Sequence, residues 1–177
     1  MKVLISGGRA PYALELVRIL AKQGHAVYIL EFVPFSLSSF SKYVTKTFNT
    51  TAPNINETSF LQEILDLLEK ENFDLFIPSC EEAIHLSKYK KQINEYTSLF
   101  VDDFNNVLKL HDKFEFMECL KELSLSHPYT AKNSDSLDEN KKYIVKRQFS
   151  RFGTHVKNYT GQKLHNGEIV QEKASGL

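Results

Sequence analysis

The sequence carries no surplus of charge: lysine plus arginine total 22, aspartate plus glutamate total 22, and the formal net charge is zero. A general polyanion binder needs a basic excess, so nucleic acid is not an expected partner, although a local basic patch stays compatible with zero net charge. Cysteine is scarce. Cys80 and Cys119 are the only two; they lie far apart and match no metal-ligand spacing. A reducing, cytoplasmic setting is the simple reading. The six histidines are scattered without ligand spacing, so no zinc site is expected. No apolar run approaches the roughly 20 residues that a membrane-spanning helix needs. Met1 leads directly into an apolar run, with no basic segment and hydrophobic stretch ahead of it, so no signal peptide is read. Internal repeats and low-complexity tracts are absent too.

What is present is ordinary in amount and informative in order. Hydrophobic residues make up 42% of the 177 positions and charged residues 25%, enough for a buried core in one domain or in one plus part of another. Lys2 to Ser6 reads as a buried strand. Ala13, Leu14, Leu16, Val17 and Leu20 share a broad helical face, and Gly24 ends it. Ala26 to Leu30 is a second strand, Phe32 to Lys42 a serine-rich loop, and Tyr43 to Thr50 a β-prone third strand. Ser59 and Gln62 have capping-box spacing ahead of the stripe Phe60, Leu61, Ile64, Leu65 and Leu68. Phe73 to Pro78 is a strand, Ile84 to Ile93 a helix, and Ser98 to Val101 a further strand. Alternating strands and helices predict an α/β, Rossmann-like open parallel sheet.

The pattern changes near residue 110. Asp112 and Glu115 can cap a helix carrying Phe114, Met117, Leu120 and Leu123. Tyr143 to Val145 is a strand that enters "KRQFSRFG", His155 to Tyr159 its return, Gly161 to Gly167 a polar turn, and Glu168 to Lys173 a last strand. Antiparallel β after a helix is a new fold element. The expected division is 1–110 and 111–177, with the second part incomplete.

The turn Gly7-Gly8-Arg9 opens the first helix, and helix N-termini attract anions because their amides are unpaired and the dipole is positive there. The dinucleotide fingerprint needs three glycines as G-x-G-x-x-G, and a Walker loop needs G-x-x-x-x-G-K-S/T; neither is present. Three readings stay open. The turn is purely structural with Pro11 in the first helical turn; or Gly7, Gly8 and Arg9 hold an anionic substrate group; or, with Glu31 as a ribose-binding acid, it serves a nicotinamide-dependent oxidoreductase. Glu81 and Glu82 follow a strand end, where doubly wound sheets bind ligands, and are structural or substrate-facing. Cys80 has no histidine preceding it nearby, and His85 alone makes no dyad, so it is not read as a nucleophile.

The ordered set "VLISGGRAPYALELVRILAKQGHAV", "FDLFIPSCEEAIHL", "LHDKFEFMECLKELSLSHPYT", "YIVKRQFSRFG" and "IVQEKASG" resembles the start of ATP-grasp enzymes similar to carbamoyl-phosphate synthase and biotin carboxylase. The resemblance implies a pre-ATP-grasp domain followed by a partial α+β ATP-grasp subdomain with antiparallel strands. It implies that Lys113 and Lys146 contact ATP phosphates. Ser150, Arg151, Gly153 and Thr154 would belong to the loop that folds over them, and Gln171, Glu172, Lys173, Ala174 and Ser175 to the hinge that reads adenine. That loop has one glycine where many relatives carry several, and Arg147 stands where proline is frequent. The implied parent activates a small-molecule carboxylate with ATP and magnesium as an acyl phosphate, which an amine or other nucleophile attacks. The magnesium ligands are expected beyond Leu177, so none is assigned here. As given, the chain is not expected to catalyse alone; a homodimer is compatible with it. A non-catalytic binding module of the same fold is the further alternative.

Overall fold

The computed structural model describes residues 1–150, 153 and 155–174. Two compact units divide the chain, Met1–Val107 and Leu108–Leu177.

In the first unit the strands are β1 (Lys2–Ser6), β2 (Ala26–Glu31), β3 (Val44–Asn49), β4 (Leu75–Ile77) and β5 (Ser98–Leu99), all parallel, in the order β3-β2-β1-β4-β5. Alternation along each strand feeds two cores, one on each face. Val3, Ile5, Val27 and Ile29 point to one face and meet Ala13 and Val17 of helix α1 (Pro11–Lys22). Leu4, Leu30 and Phe76 point to the other and meet Phe60, Ile64, Leu65 and Leu68 of α2 (Glu57–Glu71). Each of the valine, leucine, isoleucine and phenylalanine side chains among them, once fully buried, contributes about 1.5–3 kcal/mol of transfer free energy. The parallel α/β sheet expected from the sequence is therefore present.

Local details differ from the sequence reading, each for a visible reason. Helix α2 is capped by Asn56, whose Oδ1 accepts from the Ser59 amide at 3.0 Å, so Ser59 is the third helical residue rather than the cap. The helix read over Ile84–Ile93 is two, α3 (Glu82–Lys88) and α4 (Lys90–Ile93). Tyr89 leaves helical dihedrals between them (φ −108°, ψ 15°) and packs against the core. The serine-rich loop contains a short 3-10 turn, Leu37–Phe40. Helix α5 (Phe104–His111), not read from the sequence, runs across the boundary between the units.

The two opening glycines have a packing role. Gly7 is left-handed (φ +70°), and a Cβ there would sit 2.5 Å from Ser79 Oγ and 3.1 Å from the Ser79 carbonyl. A Cβ on Gly8 would lie 2.7 Å from Ile29 and 3.0 Å from Ser36 Oγ. The space beside both is filled by the protein's own loops, which is why a side chain is not tolerated.

The second unit holds α6 (Lys113–Glu122) and a four-stranded antiparallel sheet, β6 (Thr130–Ala131), β7 (Tyr143–Arg147), β8 (Lys157–Asn158) and β9 (Glu168–Glu172), in the order β6-β9-β7-β8. Asp112 caps α6, its Oδ1 accepting from the Phe114 amide at 2.9 Å and the Glu115 amide at 3.2 Å. Val145, Ile169 and Val170 form the centre of the sheet. Strand β6 was not anticipated; it is two residues long and exists only through its pairing with β9. No helix among the described residues is long and apolar enough to cross a membrane.

Candidate functional site

Two polar clusters stand out, one in each unit. The first lies at the carboxyl ends of β1, β2 and β4. Because β1 is flanked by β2 and β4, the sheet changes winding direction there, the usual place for a ligand crevice in such folds.

Arg9 is the centre of that cluster. Its Nη1 and Nη2 fork onto Glu82 at 2.7 and 2.9 Å, and Nη1 also donates to Glu31 at 2.9 Å. Glu81 lies 3.6 Å from Nη2, and the Phe32 ring stacks on the guanidinium at 4.4 Å. Both fully engaged carboxylates are buried, Glu31 at 1% exposure and Glu82 at 2%. The hydrogen bonds to Glu82 act against the burial penalty and raise the Arg9 pKa further above its already high ordinary value. Glu31 also accepts from the Arg9 amide at 2.9 Å and the Phe32 amide at 3.0 Å.

The Arg9 amide, in the turn ahead of α1, is therefore already bound to Glu31. The structure joins Arg9, Glu31, Glu81 and Glu82 into one network, in which Arg9 faces the protein's own acids; Gly7 and Gly8 stand outside it, their carbonyls accepting from the Ala10 and Ser38 amides. Cys80, Glu81 and Glu82 each bring a ligand atom within 4.8 Å of the others. A cation there would compete with the Arg9 fork on Glu82. Next to it, the Cys80 amide donates to the Tyr12 hydroxyl at 2.9 Å.

The second cluster is built by α6, β6, β7 and β9. Register places Lys146 opposite Ile169 and Ile144 opposite Gln171, so Lys146 and Gln171 project from the same face of the sheet. Lys146 Nζ donates to Gln171 Oε1 at 2.7 Å, and Gln171 Nε2 donates to Thr130 Oγ1 at 2.8 Å. Lys113, in the first turn of α6, donates from Nζ to the carbonyls of Ser150 at 2.6 Å and Gln148 at 3.3 Å. Gln148 in turn donates to Asp112 Oδ2 at 2.5 Å, which fixes the helix start against the end of β7.

Lys146 is half-buried and has no carboxylate partner among the described residues. Burial first, and then the positive charge of Lys113, push its pKa below the ordinary lysine value. The two ammonium groups are therefore close enough to repel each other.

This has a measurable consequence. The unfolded chain keeps a proton on Lys146 up to about its ordinary pKa, whereas the folded chain releases it earlier. Stability must then rise with pH between the depressed folded value and 10.5. Urea unfolding across that window, with the Lys146→Met variant subtracted, is expected to show this positive slope; a difference that is flat or falls with pH contradicts the assignment.

The remaining residues suggested by the resemblance are spread out. Ser150 joins the cluster through its carbonyl. Gly153 forms a turn in which its carbonyl accepts from the Val156 amide at 3.1 Å. Glu172 projects from the opposite face to Gln171 and pairs with Lys141 at 3.0 Å. Lys173 pairs by its amide with the Lys142 carbonyl at 2.8 Å, and Ala174 is exposed. Arg151, Thr154 and Ser175 lie outside the described residues. A cavity of about 590 Å³, lined by Asp138, Lys141, Lys142, Tyr143, Tyr159 and Lys173, opens at the Tyr143 end of the sheet and does not include Lys146. Thr130 and Gln148 were not singled out from the sequence; their partners are 41 and 36 positions away, and no local pattern marks them.

No protein-family model matches the chain, and no curated protein matches it. Solved structures do. The chain is similar to the L-amino acid ligase of Bacillus licheniformis, with a TM-score of 0.69 and 14% identity over 97% of this chain and 43% of that one. It is similar to the N5-carboxyaminoimidazole synthetase of Staphylococcus aureus in complex with ADP, at TM-score 0.64 and 19% identity over 98% and 47%. It is also similar to the biotin carboxylase domain of the 2-oxoglutarate carboxylase of Hydrogenobacter thermophilus, bound to MgADP, ADP and bicarbonate, at TM-score 0.62 and 13% identity over 98% and 44%. These are ATP-grasp enzymes, and the fold of this chain is that of their amino-terminal portion. The chain spans less than half the length of each.

Proposed function

We propose that the chain supplies the amino-terminal part of an ATP-dependent ligase, which activates a small-molecule carboxylate as an acyl phosphate for attack by an amine or related nucleophile. Lys113 and Lys146 hold the phosphates, and the small-molecule substrate sits at the β1–β4 crevice, whose floor is the Arg9 network with Glu81 and Glu82 and whose turn, Gly7 and Gly8, packs against Ser79, Ile29 and Ser36. One observation carries this reading: a half-buried ammonium with no carboxylate partner among the described residues, beside a second ammonium. Such a pair is costly in isolation and becomes favourable when a polyanion is placed against it. In phosphoryl transfer the protein's main task is to place positive charge where negative charge accumulates, and lysine does this as a compact point charge.

Magnesium, which this reading implies, finds no ligand set at the lysine cluster among the described residues. The side chains there are ammonium, amide or hydroxyl groups, and both oxygens of Asp112 are engaged by the α6 cap and by Gln148. No step is assigned to the metal on this chain. The dinucleotide alternative loses support because Glu31 is already bound to Arg9, through both its amide and its side chain.

Titration of the ¹⁵N-labelled chain with ATP tests the reading. Shifts are expected to concentrate at Lys113–Glu115, Ile144–Ser150 and Ile169–Ala174. Shifts concentrated at Gly7–Arg9 and Glu31 would contradict it. In the full-length protein, Lys146→Ala separates an enzyme, which loses ATP turnover, from a binding module, which keeps its partner.

A further inference from the structure

We propose that Gln171 is a positioning residue for Lys146, holding its ammonium toward the phosphate side of the sheet, and that Thr130 in turn fixes which way the Gln171 amide points. This rests on the phosphate-site reading given above and departs from the adenine-reading role that the resemblance implies for Gln171.

The reasoning is a count of protons. The Thr130 hydroxyl has one, and donates it to the Pro128 carbonyl at 3.1 Å. Its oxygen can then only accept from Gln171, which must present its NH₂ there, at 2.8 Å. That leaves the Gln171 carbonyl oxygen for Lys146, at 2.7 Å. Turning the amide over would set NH₂ against an ammonium and a carbonyl against an oxygen that has no proton left to give. Gln171 is only 7% exposed, so neither unmatched group could turn to water. The chain Pro128–Thr130–Gln171–Lys146 thus has a single consistent direction.

Its neutrality has a purpose as well. Among the described residues the charged neighbour that acts on Lys146 is Lys113 of α6, while β9 presents an uncharged amide and β6 an uncharged hydroxyl. A carboxylate at position 171 would anchor the ammonium too, but would cancel the charge that a polyphosphate needs. A glutamine oxygen anchors it and leaves the charge available.

The test uses the whole chain with ¹³C-labelled lysine. Three quantities are read for each variant: the pH titration of Lys146, its affinity for inorganic triphosphate, and the thermal midpoint. Gln171→Glu is expected to raise the Lys146 pKa and weaken triphosphate about tenfold, with the Thr130 hydroxyl turning from the Pro128 carbonyl to donate to the new carboxylate; the midpoint checks that the variant folds. Gln171→Met is expected to shift the Lys146 titration and weaken triphosphate by a similar factor. Thr130→Val should reproduce the Gln171→Met behaviour in part, and Thr130→Ser should restore parent values. The proposal is overturned if Gln171→Glu and Thr130→Val both fold and leave Lys146 titration and triphosphate affinity at parent values. If the parent itself does not bind triphosphate, the phosphate-site reading fails. The Lys146 titrations alone then decide the role of Gln171, and unchanged curves in the two variants overturn it.

Discussion

Arg9→Gln is expected to cost the first unit about 3–5 kcal/mol of stability, read by urea unfolding near neutral pH. The figure is that for removing one member of a buried ion pair, because it leaves the partner charge buried without compensation. Here two carboxylates are affected, Glu31 and Glu82, both almost fully inaccessible. The Glu81 contact counts for little, since that side chain is 46% exposed and water screens it. Arg9→Lys separates charge from geometry. It keeps a cation but cannot span Glu31 and both Glu82 oxygens with a planar fork, so an intermediate loss of about 1–2 kcal/mol is expected. A loss under about 1 kcal/mol for Arg9→Gln would mean that the two acids find other partners and that Arg9 is not their clamp.

Lys146→Ala is expected to reduce triphosphate affinity by about tenfold to a hundredfold, the range that a charge-assisted hydrogen bond in a partly dry site supports. Its effect on folding should be much smaller. The variant loses an ammonium that is itself penalised by burial and by Lys113, which offsets the lost bond to Gln171. Lys113→Ala should weaken triphosphate less and move the Lys146 pKa upward, because it removes the like charge. Isothermal titration of both variants with triphosphate, beside a ¹³C-lysine titration, checks the two effects independently. Unchanged affinity in Lys146→Ala would remove the lysine from the site.

These two experiments also mark where the sequence stops being readable. Elements held by local patterns were legible. Pro11 at the start of a helix with an apolar stripe, Asp112 ahead of Glu115, and the apolar run into Lys146 all describe short-range physics. The doubly wound order followed from alternating strands and helices. Competition between neighbouring caps was not legible: Asn56 and Ser59 are both good cap residues, and the folded helix starts at Asn56 with Phe60 buried in the core.

The polar networks were legible in part. Arg9, Glu31 and Glu82 were each noticed, as anion binder, ribose acid and crevice acid. That they neutralise one another depends on contacts 22 and 73 positions apart, which no spacing rule encodes. Gln171 entered only as part of the adenine-reading hinge that the resemblance implies, and the positioning role proposed for it depends on Thr130 across β6. A two-residue strand has too little pattern to be seen in advance.

The claim on which everything else depends is that Lys113 and Lys146 face the same phosphates. An ATP acyl-phosphate probe transfers its label to lysines lying at the phosphates, and mass spectrometry identifies them. Labelling at Lys146 and Lys113, suppressed by excess ATP, is the predicted result. Labelling that ATP suppresses at Lys22, Lys42 or Lys46 of the parallel-sheet unit, with Lys113 and Lys146 unmodified, would contradict it.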